Sequence, residues 1–126
     1  MPFSVQLDRE RHLIVISAEG DVGDTDLEAL SKTARAMPEV ATGIGVLYDC
    51  SGLSSVSVTR GLVQELGMRA RNDTNRVAFV APTPVAFGLA RMYQIISGGE
   101  DRMQIFPDRD TALAWLKNDL AAGERG

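Results

Sequence analysis

The spacing of apolar positions changes repeatedly along this chain, and each change marks an element. Residues 3–8 (FSVQLD) and 12–20 (HLIVISAEG) are β-prone runs flanking a charged stretch from Asp8 to Arg11, which predicts an antiparallel hairpin with a polar turn. In residues 23–38 (GDTDLEALSKTARAMP) the period lengthens. Leu27, Leu30, Ala34 and Met37 fall on one helical face, Thr25 and Glu28 are spaced as a capping box, and Pro38 is the stop. Residues 43–51 (GIGVLYDCS) are a nearly continuous apolar run, the pattern of a central strand covered on both faces. From Ser57 onward Val58, Leu62, Leu66 and Ala70 recur at helical spacing, with Gly61 and Gly67 weakening that helix.

The second half repeats the alternation. Residues 76–82 (RVAFVAP) read as a buried strand, and residues 83–99 (TPVAFGLARMYQIISGG) as a helix with Thr83 as N-cap, Pro84 at its first position and Gly98 at its end. Residues 102–107 (RMQIFP) predict a last short strand. Residues 108–120 (DRDTALAWLKNDL) predict a last helix whose inner stripe is Ala112, Trp115, Leu116 and Leu120. The order β, β, α, β, α, β, α, β, α implies a single α/β domain over residues 1–120, with a mixed sheet of about five strands and four helices, followed by a frayed tail at 121–126.

That element order, the phrase LYDCSGLSSVSVTRGL (47–62) and the tail RVAFVAP, FGLARMYQII and MQIFPDRDTALAWL resemble the SpoIIAA-like branch of the STAS superfamily, the relatives of bacterial anti-sigma-factor antagonists. The resemblance spans residues 3–120, and its most specific part is the closing FPDRDTALAWL. It implies a small non-catalytic domain that binds protein partners such as a kinase or an anti-sigma-like factor, in a fold akin to Sec14-type lipid-binding domains. In the antagonists a strand ending in an Asp-containing turn leads to Asp-Ser-Ser-Gly-Leu, whose serine accepts a phosphate. Here Asp49, Ser51 and Gly52 match the strand end and Gly61-Leu62 the Gly-Leu. The middle departs: it reads SVTR with one extra residue, so that Thr59 is the nearest match to the phosphoacceptor and Ser57 replaces the acidic residue.

Composition narrows the field. A net charge of -4 and the lack of a basic stripe argue against nucleic acid. The single cysteine, Cys50, excludes an internal disulfide. The opening residues carry no basic region followed by an apolar segment, from which a cytoplasmic location is expected, and no apolar run is long enough to cross a bilayer. One His and one Cys make a zinc site improbable, and neither a metal nor another cofactor is expected. A phosphoaspartate at Asp49 would need a magnesium-binding acidic cluster and a strand-end lysine, whereas Lys32 and Lys117 lie within helices.

Two surfaces stand out. Ser54, Ser55, Ser57, Thr59 and Arg60 form a hydroxyl-rich candidate phosphoacceptor and partner surface, which an ordinary turn and helix cap would also explain. Phe87, Met92, Tyr93 and Ile96 belong to a helix apolar nearly all round, a candidate ligand or homodimer surface, although packing alone would account for it. The preferred function is therefore a non-catalytic regulatory interaction domain switched by phosphorylation. A small lipid or apolar-ligand binder, and an enzyme using Asp49 or Cys50, are the alternatives.

Overall fold

The computed structural model describes the backbone of residues 3–125 and the side chains of residues 3–117. Its elements are β1 (Phe3–Asp8), β2 (Leu13–Gly23), α1 (Asp24–Arg35), a 3-10 turn (Pro38–Thr42), β3 (Gly45–Ser57), α2 (Arg60–Arg69), a second 3-10 turn (Ala70–Asn72), β4 (Val77–Val80), α3 (Pro84–Ile96), β5 (Met103–Phe106) and α4 (Arg109–Arg125). The five strands form one sheet in the order β1-β2-β3-β4-β5, with β1 antiparallel to β2 and the remaining neighbours parallel. This is the expected mixed sheet, with β3 at its centre. The anticipated inner position Leu120 and the tail at 121–126 lie outside the described side chains.

The strand order decides where the helices go. Each parallel step moves one strand in the same direction, and right-handed crossovers then place α1, α2 and α3 on a single face of the sheet. The packing follows that rule. Ile14, Ile16, Val46, Val77 and Phe79 point to the face carrying Leu30 and Ala34 of α1 and Ala90 of α3. The alternate residues Leu13, Val15, Leu47, Ala78 and Val80 meet Ala112 and Leu116 of α4 on the other. Parallel strands buried on both faces explain the continuous apolar runs in the sequence.

Several boundaries shift for identifiable reasons. His12 was expected to open a strand but sits in the turn at φ 56, and β2 begins at Leu13. The N-cap of α1 is Gly23, whose N–H donates to the Asp26 carboxylate at 3.0 Å, so Asp26 does the work expected of Thr25 and Glu28. The largest difference is β3. The hydroxyl patch is not a turn: Gly52 to Ser57 continue the strand, paired with Glu19 to Gly23 of β2 through two register shifts. Helix α2 therefore starts at Arg60, not at Ser57, and Val58 precedes it. Helix α3 matches the sequence signals: Thr83 accepts the Ala86 N–H at 3.2 Å, Pro84 leads, and Gly98 follows at φ 68. Gly67 has a packing role, since a Cβ there would lie 2.7 Å from Ile96 Cγ2 where α2 crosses α3.

Candidate functional site

β1 pairs with β2 only as far as Ala18, and β4 pairs with β3 only as far as Asp49. Beyond those points β2 and β3 run on as a two-stranded ribbon. Helices α1 and α2 both begin where that ribbon ends, and α3 begins just past the shorter β4. The ribbon and the three helices do not close completely over the sheet. They leave an apolar cavity of about 150 Å³ bordered by Leu27, Leu53, Val56, Val63, Leu89 and Tyr93 among others. The hollow is half open to solvent, lined by aliphatic and aromatic groups, and has room for an apolar molecule about the size of benzene.

Cys50 also borders this cavity. Burial pushes its thiol up to about 11, and the neighbouring Asp49 charge adds to the effect. It is therefore a protonated apolar group rather than a nucleophile at neutral pH. His12 borders a different hollow, a groove of about 810 Å³ with Arg76 and Asp110 at the opposite ends of the strands. Among the described residues no three His, Cys, Asp or Glu side chains gather closely enough to hold a metal ion. Asp49 is buried and committed: its carboxylate accepts from the Ser51 N–H at 2.9 Å and from Arg109 Nη1 at 3.1 Å, tying β3 to the start of α4.

A second, smaller hollow of about 60 Å³ lies on the same face, toward the starts of β4 and β5. Ile16, Ser31, Tyr48 and Tyr93 border both hollows, so the two meet at these residues. The rings of Tyr48 and Tyr93 pack on Phe79, stacked at 5.1 Å and edge-on at 5.9 Å. Burial raises both phenols above their ordinary value; the Tyr93 phenol adds to the effect at Tyr48, Arg35 opposes and Asp73 reinforces it at both, Cys50 adds to it at Tyr48, and Arg102 opposes it at Tyr93.

The two sequence-predicted surfaces are separate. Ser54, Ser55, Ser57, Thr59 and Arg60 are all exposed on the ribbon and at the start of α2. Thr59 is the N-cap, accepting the Leu62 N–H at 3.3 Å. Its hydroxyl donates to Asp24 Oδ2 at 2.8 Å and its N–H to Asp24 Oδ1 at 2.7 Å, while Ser55 donates to Asp21 at 2.6 Å. Asp21 and Asp24 thus hold the hydroxyl-bearing segment across a gap of more than thirty residues; only the register of the ribbon brings them together. Of the apolar set, Tyr93 borders the cavity, Ile96 packs on Gly67, and Phe87 stands exposed at 49% beside Val85 at 59%. Met92 is half-buried.

No family model and no curated protein matches this chain. A solved structure of an uncharacterised protein from Shewanella loihica PV-4, of the DUF3478 family with a SpoIIAA-like fold, is similar to it at 21% identity and a TM-score of 0.63 over 90% of this chain and 93% of that one. The chain thus has the SpoIIAA-like α/β fold that its sequence resembles. No described helix is long and apolar enough to cross a membrane.

Proposed function

We propose that this chain is a non-catalytic, cytoplasmic binding domain that takes a small apolar molecule into the cavity between the sheet and helices α1, α2 and α3. The observation that carries this reading is the cavity, whose wall is made almost entirely of aliphatic and aromatic side chains such as Leu27, Leu53, Val56, Val63, Leu89 and Phe79. Filling it removes apolar wall from water and supplies the contacts an empty void lacks. Among the described residues the half-open site offers no thiolate, no Cys–His pair and no metal-binding acidic cluster for turnover. The test is a heteronuclear NMR titration with toluene. Shifts confined to cavity residues such as Leu27, Val56, Leu89 and Tyr93 support the reading; shifts absent from those residues at saturating toluene refute it.

A second reading, regulatory contact with a protein partner, is favoured by the ribbon. Among the described residues no strand lies beside residues 51–57 of β3 opposite β2, and open edges accept an added strand. A phosphate on Thr59 would confront the Asp24 carboxylate that now holds its hydroxyl, and like-charge repulsion would release the start of α2 from α1. Incubation with host lysate and ATP, followed by phosphosite mapping, checks this: modification at Thr59 or Ser57 supports it, and modification confined to other residues removes it.

A further inference from the structure

The outer face of the ribbon carries two carboxylates that lean toward its open edge. Glu19 is paired with Gly52 and Asp21 with Ser55 in the register of β2 on β3. Both acids stand on the sheet face opposite the apolar cavity, because Ala18 and Val22, which alternate with them, border that cavity. The β3 residues between them and the edge are short. A Cβ on Gly52 would sit 3.1 Å from Glu19 Cγ, so the Glu19 side chain lies over Gly52, and the Asp21 carboxylate accepts from the Ser55 hydroxyl at 2.6 Å. Glu19 and Asp21 are exposed, and neither is ion-paired among the described residues. The neighbouring Asp49 is neutralised by Arg109 at 3.1 Å, and Arg60, the one basic residue of the ribbon and its flanks, follows it at the start of α2.

From this we infer that the strand added at residues 52–57 is a flexible basic segment of another protein, with lysine or arginine at alternate positions reaching over Gly52 and Ser55 to Glu19 and Asp21. The inference rests on the partner reading above and adds the chemistry of the partner. Side chains in register line up across a sheet at strand spacings of about 4.8 Å, and a long basic side chain crosses one short neighbour to meet an acid leaning toward it. Glu19 and Asp21 are two residues apart on one face, which sets the alternate spacing of the cations. Like charges held so close repel, and an incoming cation at each relieves that repulsion. A second copy of this chain does not meet the requirement. Residues 50–58 contain no charge, and neither outer strand of the sheet, β1 or β5, contains a lysine or arginine. The two register shifts favour a flexible segment over the edge of a folded domain, because irregular pairing increases local twist and an unfolded segment follows that twist as it pairs.

A heteronuclear NMR titration of the intact chain tests it with capped peptides about eight residues long, a usual strand length. Each alternates threonine and valine, and two successive threonines are replaced by lysine, by glutamine or by glutamate. The expected result is amide shifts at residues 52–57, with the lysine peptide binding about three- to ten-fold tighter than the glutamine peptide at low salt, the factor two exposed ion pairs carry, and the glutamate peptide weakest. Added salt should narrow the gap. In a Glu19→Gln, Asp21→Asn double variant, which keeps the size of both side chains, the lysine and glutamine peptides should bind alike. Equal affinity for those two peptides in the unaltered chain overturns the inference while leaving strand addition intact. A lysine preference that survives the double substitution overturns the assignment to Glu19 and Asp21. Failure of every peptide to shift residues 52–57 overturns the strand-addition reading beneath it.

Discussion

Filling the cavity from its wall should stabilise the protein. Ala86 lies in the first turn of α3, is 6% exposed and borders the void. Ala86→Leu adds three carbons, roughly 90 Å³ at the liquid-like volume of about 30 Å³ each, and so occupies more than half of the space. With residual cavity costing about 24 cal/mol per Å³, the gain is about 2 kcal/mol, and imperfect fit reduces it to about 1–2 kcal/mol. For a chain of this length that is a rise in Tm of about 4–8 °C, and leucine is nearly as good a helix former as alanine. Gly67→Ala supplies the opposing control, because its Cβ would meet Ile96 Cγ2 at 2.7 Å. Overpacking of about 1–3 kcal/mol there exceeds the helix-propensity gain of about 1 kcal/mol or cancels it, so no net stabilisation is expected. Thermal and urea unfolding measure both. A loss of more than about 1 kcal/mol in Ala86→Leu would show that the space is not available to a side chain and would refute the reasoning.

The other expectations concern groups around the cavity and ribbon. The Cys50 thiol, raised from 9.0 to about 11 in the folded chain, favours the protonated form; its contribution to stability is complete below pH 9 and is lost as the pH climbs from 9 to about 11. The rise from 9.0 to about 11 corresponds to about 2–3 kcal/mol. Cys50→Ala should therefore unfold less steeply with pH over that interval, and iodoacetamide should alkylate the native thiol with a midpoint near 11; a midpoint at 9 contradicts its burial. Asp24→Ala removes both hydrogen bonds to Thr59 and should cost about 1–2 kcal/mol in urea unfolding, with Asp24→Asn costing less. An Asp24→Ala cost below about 0.3 kcal/mol would mean that the tie between α1 and α2 contributes nothing.

What the sequence revealed was whatever local chemistry controls. The limits of α3 were legible because a threonine cap, a proline and a terminal glycine act within a turn of themselves. The central position of β3 was legible because burial on both faces leaves a continuous apolar run. The ribbon was not. Leu53, Val56 and Val58 face inward at irregular intervals because two register shifts break the two-residue period, and the serines between them imitate a turn. The pairing of Asp49 with Arg109 spans sixty residues and leaves no local trace. The cavity was the least visible feature of all, since a helix bordering empty space carries the same apolar stripe as one pressed against a full core. The surplus apolar surface of α3 was the one hint, yet of the four residues singled out there only Tyr93 reaches the cavity.

Pressurising crystals of the unliganded protein with xenon examines the central claim most directly, because xenon enters dry apolar voids of this volume and is located by its own scattering. The account predicts a single strong xenon position among Leu27, Val56, Leu89 and Tyr93, and its displacement by toluene. Xenon bound only at other places, with ordered water filling the space between those residues, would contradict it.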